Sequence, residues 1–188
     1  MTVKLRPQEV HVWHLDMNEP TPKKHSRHHL YELRKVQTAL PELNRFLYVT
    51  VGAPWMWHMR LNWSWQQWAD FLARDGVETW VAYQGGTPVG YFELECQHRA
   101  QTEITYFGLV PEYVGKGLGK ALLEDAIENA WQLAEQRIWL HTCSLDHPAA
   151  LPNYLARGFK IFKEEEYEDM IPSESIEPWP GANKPSII

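Results

Sequence analysis

The chain has 188 residues, 44% of them hydrophobic, and a net charge of −6 at pH 7. That length supports one compact domain with a sizeable core rather than two, and no segment is long and apolar enough to span a bilayer. Seven acidic residues and one lysine lie from Glu164 to the end, so the rest is neutral and lacks the basic excess of a dedicated nucleic-acid binder. The first residues, MTVKLRPQEVHVWHLDM, have no signal-peptide core, and the expectation is a soluble cytoplasmic protein with neither nucleic acid nor membrane as a partner.

EVHVWHLDM alternates and predicts a first strand, and the prolines and charges of NEPTPKKHSR predict a loop. From His28 to Val49 leucines and aromatics recur at helical spacing, with Pro41 as a break. APWMWHMRLN is irregular. SWQQWADFLARDG predicts a helix that Ser64 caps and Gly76 ends. The period then shortens: VETWVAYQ and PVGYFELECQ form a hairpin about a tight GGT turn, and TEITYFGLV is a further strand. A helix from about Leu118 to Glu135, the strand RIWLHTCS, a short helix in HPAALPNYLARG and a last strand FKIFKEEEYEDM complete the chain. The order implies an α/β fold of α+β type, a mixed sheet covered by helices with at least one strand–helix–strand crossover. Cys96 and Cys143 stand alone in strand-like segments and read as reduced, buried thiols.

LVPEYVGKGLGKALLEDAIENAW places Gly115, Gly117 and Gly119 within five positions, just before an amphipathic helix. Glycine weakens a helix start unless the bare backbone is needed. A helix N-terminus offers unpaired N–H groups and the positive end of a dipole, and Lys116 and Lys120 add charge, so the loop suits a phosphate. Val114 and Ala121 break the P-loop pattern, and the G-x-G-x-G spacing breaks the dinucleotide fingerprint. The alternative is a turn that serves only close helix–sheet packing.

These residues resemble the GNAT (GCN5-related) N-acetyltransferases. The family signature, Arg/Gln-x-x-Gly-x-Gly/Ala between a strand and a helix, is matched by VGKGLGKALL after YFGLVPEY. A second hallmark, Asn-x-x-Ala-x-x-x-Tyr and then Gly-Phe, is matched in HPAALPNYLARGF at Ala150, Tyr154, Gly158 and Phe159. Two departures stand out: Val114 takes the usual Arg/Gln position and His147 the usual Asn position. The resemblance implies one GNAT-like domain over residues 1–188, with residues 164–188 as an acidic strand and tail, and two parallel strands that splay apart. It implies acetyl-CoA as co-substrate, with its pyrophosphate on the N–H groups of Gly115, Lys116, Gly117, Leu118, Gly119 and Lys120, its pantetheine arm along Leu109 and Val110, and His147 in place of an amide contact. A bulge around Phe107 and Gly108 would aim a backbone N–H at the thioester carbonyl.

The resemblance also implies catalysis by direct attack of a primary amine on the thioester. Glu103 stands at the family spacing for a general base. By alternation it shares a face with Thr105 and Phe107, and an apolar cleft would raise its pKa. A solvent-exposed glutamate at a strand start is the alternative. Tyr154 matches the tyrosine that protonates the departing thiolate, or else packs on the sheet. His141 and His147 line the cleft or are structural. His25, His28 and His29 form a solvated loop rather than a metal site, so no metal is expected. Cys143 has no neighbouring base and reads as structural rather than nucleophilic.

On the acceptor side, five tryptophans fall between Trp55 and Trp68, joined by Met56 and Met59. Trp65 and Trp68 at helical spacing read as core. Trp55 and Trp57, in irregular chain, line the acceptor pocket or an interface, which suits an apolar or aromatic amine and a monomer or homodimer. The alternative function is an acyl-CoA-binding sensor without turnover, and a third reading is a nucleotide-binding protein.

Overall fold

The computed structural model describes residues 4–20, 30–97, 100–174, 176–179 and 181–182. Seven strands form one mixed sheet: β1 (Leu5–Met17), β2 (Glu32–Lys35), β3 (Val77–Gln84), β4 (Thr87–Gln97), β5 (Gln101–Leu109), β6 (Arg137–Cys143) and β7 (Lys160–Pro172). Their order across the sheet is β2-β3-β4-β5-β6-β1-β7. The first strand of the chain therefore lies inside the sheet, antiparallel to β6 on one side and to β7 on the other. Among the described residues only β5 and β6 are parallel, and they pair over just Gln101–Glu103 and Arg137–Trp139 before they part. The splay expected from the family resemblance is thus present, and it opens immediately beyond Glu103.

Four helices cover the sheet: α1 (Pro41–Gly52), α2 (Trp65–Leu72), α3 (Leu118–Leu133) and α4 (Ala150–Leu155). On one face the apolar stripe of α3, Leu118, Leu122, Leu123, Ala126, Ile127 and Ala130, packs with Phe92, Leu94, Ile104, Ile138 and Leu140. Each leucine or isoleucine so buried contributes about 1.5–3 kcal/mol, which makes this face the main source of cohesion. The other face carries Leu47, Tyr48 and Val51 of α1 and Trp68 of α2 against Val81, Tyr91 and Tyr106.

Beneath this second face lies an ion pair that sequence reading missed. Arg60 Nη1 meets Glu93 Oε1 at 2.8 Å, and both side chains are buried. The guanidinium also sits 4.1 Å from the ring centre of Phe71 and 4.5 Å from those of Trp63 and Tyr106. Cation–π attraction at such a desolvated site is worth about 2 kcal/mol. It pins the connection between α1 and α2 to the sheet.

Two expectations are corrected here. The stretch from His28 to Val49 is not a single interrupted helix: Glu32–Lys35 is a short edge strand antiparallel to β3, and α1 begins at Pro41. Glu, Leu, Arg and Lys favour helix, but pairing with β3 overrides that preference. Proline, which lacks a donor, suits the first helical position, where the N–H would have no partner. The histidines at 25, 28 and 29 lie outside the described residues. Trp65 is 59% exposed rather than core, whereas Trp68 is buried at 2%. Trp65 opens α2 beyond the reach of the core and donates its indole N–H to Glu42 of α1. Ser64 does cap α2: its hydroxyl accepts from the Gln67 N–H, and the Gln67 side chain returns the bond to the Ser64 N–H.

Candidate active site

The splay between β5 and β6 opens into a cleft of about 940 Å³. The glycine loop, the start of α3, residues of α4 and the segment Trp55–Met59 all line it.

At the loop end, Gly115 and Gly117 have φ of +81° and +80°, a conformation that only glycine adopts without strain. Gly117 is the cap residue of α3 and supplies no side-chain hydrogen bond, so the first N–H groups of a 16-residue helix have no side-chain cap. Gly119 has ordinary helical backbone. A Cβ built there would meet only Leu109 Cδ1, at 3.6 Å, which is ordinary contact. The protein itself therefore gives no steric reason for glycine, which costs a helix about 1 kcal/mol relative to alanine. Gly119 faces the cleft, and its bareness leaves room for a ligand. This cradle fits an anion such as a pyrophosphate.

The other residues expected at this end divide. Lys120 lines the cleft, while Lys116 is exposed with its ammonium over the Tyr113 ring at 4.7 Å. Leu118 turns its side chain into the core and can offer only its backbone. Leu109 lines the cleft; Val110 instead donates its N–H to Val89 O at 3.0 Å, toward β4, so that donor is not free for a pantetheine arm. His147 lines the cleft, accepts from the Ala149 N–H through Nδ1, and stands edge-to-face with Trp55 at 5.1 Å.

The bulge in β5 is not at Phe107–Gly108. Tyr106 pairs with Glu93 and Ile104 with Leu94, so Thr105 is the extra residue. A bulge inverts the alternation beyond it. Glu103 consequently shares a face with Tyr106, while Phe107 joins Ile104 on the α3 side, contrary to the simple alternation expected from sequence. Glu103 is only 7% exposed, at the point of the splay, with His141 Nδ1 3.2 Å from its Oε1. That carboxylate holds the imidazole of His141 above its usual pKa, although burial pulls the other way.

Tyr154 of α4 is buried, edge-to-face with Phe107 and Phe159, and lines the cleft. Burial, reinforced by the charge of Asp146, holds its phenol well above the usual value, so it carries its proton at any working pH. Among the described residues its hydroxyl has no hydrogen-bond partner. Cys143 also lines the cleft, but burial and Asp146 push its thiol up to about 11, which makes it a poor nucleophile. Both cysteines are free. Among the described residues no three His, Cys, Asp or Glu side chains are placed to hold a metal ion, and no helix is long and apolar enough to cross a membrane.

Trp55 and Trp57 both line the cleft. Trp57 packs on Tyr106 at 4.8 Å and donates its indole N–H to Asp146 at 3.3 Å. His58 Nε2 lies 3.6 Å from Asp169 Oδ2 of β7. Asp146 also accepts from the Thr142 hydroxyl at 2.7 Å and the Cys143 N–H at 3.2 Å. Asp146, His58, His14 and Glu165 are cleft residues that sequence reading passed over. Their roles depend on which strands become neighbours, and no local spacing signals that.

The acetyltransferase (GNAT) family model matches residues 36–159. No curated protein sequence matches the chain. Among solved structures, it is similar to a GCN5-related N-acetyltransferase from Sphaerobacter thermophilus (15% identity, TM-score 0.64), with 89% of this chain and 53% of that one covered. This chain thus spans about half the length of that protein. It is similar to a Trypanosoma brucei acetyltransferase (26% identity, TM-score 0.53; 71% of this chain, 94% of that one). It also resembles a Bacillus subtilis acetyltransferase solved in complex with CoA (22% identity, TM-score 0.54; 71% and 78% covered). With a family match running from just after β2, through the glycine loop, to Phe159, on a sheet that parts between β5 and β6, this chain belongs to the GNAT acetyltransferase family.

Proposed function

We propose that the protein is an N-acetyltransferase that moves an acetyl group from acetyl-CoA to a primary amine, with both reactants in the cleft together. The observation that carries this reading is the start of α3: helix N–H groups without a side-chain cap, behind a glycine whose bareness nothing in the protein requires, at the end of one large cleft. Gly115 through Lys120 hold the pyrophosphate by backbone N–H groups, with Lys120 adding charge. Bound acetyl-CoA supplies an activated acyl group in the form of a thioester.

Glu103 takes the ammonium proton of the incoming amine onto its carboxylate, which leaves a neutral nucleophile. Tyr154 gives its hydroxyl proton to the departing thiolate and is restored by the second proton that the nitrogen sheds as it becomes an amide. Trp55, Trp57 and Met56 exclude water and favour an acceptor with apolar or aromatic surface. Attack is direct in this reading; the elevated thiol of Cys143 supports no acyl-enzyme route.

The test pairs calorimetry of CoA binding with thiol release from acetyl-CoA across a panel of amines. Saturable binding with acceptor-dependent release is expected. Binding with no release for any amine would favour an acyl-CoA sensor, and stabilisation by ATP rather than CoA would reject the cofactor.

A further inference from the structure

Acylation of an ammonium ion by a thioester yields an amide, a thiol and one proton, and that proton must leave the site in each turnover. Glu103 can receive it but is nearly enclosed, at 7% exposure. Its neighbours mark a path. Four adjacent strands, β5, β6, β1 and β7, bring Glu103, His141, His14 and Glu165 into one row of cleft side chains. His141 Nδ1 faces Glu103 Oε1 at 3.2 Å. His14 is the direct antiparallel partner of His141, so the two side chains share a face, with ring centroids 6.0 Å apart. One water can bridge that interval. His14 Nε2 meets Glu165 Oε2 at 2.7 Å, and the Glu165 side chain is 42% exposed. The ring nitrogens committed to carboxylates are Nδ1 of His141 and Nε2 of His14. Nε2 of His141 and Nδ1 of His14 have no other partner among the described residues.

We propose that His141 and His14 relay the proton taken by Glu103 across the sheet to Glu165 and bulk water. This rests on Glu103 being the base. His141 accepts a proton at Nδ1 and releases one from Nε2; a bridging water passes one to His14 Nδ1, and His14 releases one from Nε2 to Glu165. Each ring gains and loses one proton, and no bond other than N–H or O–H changes. Both histidines act through Glu103 and are positioning residues. The other charges facing the row are Asp146 from the β6–α4 turn and Lys163, which pairs with Glu165 at 2.6 Å; Phe162 walls the His14 ring at 6.0 Å. Glu103 favours the protonated imidazole of His141, and Lys163 with His14 holds Glu165 ionised below its usual pKa.

The experiment compares His14→Gln, which keeps a hydrogen-bonding group but cannot relay, with His14→Gly and Glu165→Gln. Expected for His14→Gln is a fall in kcat of about tenfold, the lower end of acid–base effects, with KM for acetyl-CoA unchanged. In His14→Gly, added imidazole should restore most of the loss. In the free protein, ¹⁵N NMR should show the His141 titration midpoint shifting when His14 is replaced. Glu165→Gln, on an exposed edge, keeps the test available if a His14 variant misfolds, and should lower kcat severalfold with a dependence on buffer concentration. Full kcat in both His14→Gln and Glu165→Gln, or a loss that imidazole leaves untouched, would overturn the relay. Glu103→Gln separates the two readings: if it abolishes turnover while the His14 and Glu165 variants do not, the relay alone fails, and if it leaves turnover intact, the base assignment fails first.

Discussion

Glu103 and His141 meet across the gap where β5 and β6 separate, 3.2 Å between Oε1 and Nδ1. The pairing raises the His141 pKa above 6.5. A histidine with a raised folded-state pKa adds stability that is fully present below the unfolded value of about 6.5 and fades as pH rises through the folded value. Replacing Glu103 by Gln should therefore lower the His141 midpoint in an NMR titration. The stability difference between wild type and variant should be largest in mild acid and shrink above the folded midpoint. An unchanged midpoint would show that the pair does not hold in solution.

Glu103→Gln should also cut turnover by about 10²–10⁴-fold, the usual range for a lost general base, with little change in CoA affinity. Stopped-flow thiol release and calorimetry together measure both.

Tyr154→Phe removes one hydroxyl and leaves the ring packing on Phe107 and Phe159 intact. The expected result is a fall in kcat of about 10²-fold or more with CoA binding nearly unchanged. Equal losses in binding and turnover, or in neither, would remove Tyr154 from the chemistry.

Gly119→Ala offers a trade between stability and function. The new methyl meets only Leu109 at contact distance, and alanine favours the helix by about 1 kcal/mol. The melting temperature should rise by about 2–4 °C, while CoA affinity falls because the methyl enters the cradle. A variant that gains stability and binds CoA as well as wild type would show that the ligand does not approach this turn.

Arg60→Met tests the buried pair. It leaves Glu93, whose pKa burial already raises, without its cation in the core. Loss of one partner from such a pair costs about 3–5 kcal/mol. Chemical denaturation should show the loss, and Arg60→Met with Glu93→Gln together should recover part of it.

Much of this protein was legible in one dimension. Period-two alternation placed β3, β4 and β5, and the apolar stripe from Leu118 placed α3, because local burial on one face imposes those periods. The capped start of α2 at Ser64 and the glycine loop were equally local, since caps and positive φ angles are set within a few residues. What tertiary structure decided is non-local: that Glu32–Lys35 becomes a strand against β3, that Thr105 bulges and turns Phe107 away from the face of Glu103, and that Trp65 lies outside the core. Above all, β1 inserts between β6 and β7 and brings His14 beside His141 and Glu165. Strand neighbours are chosen by packing of the whole sheet, and that choice, not any run of residues, assembles the floor of the cleft.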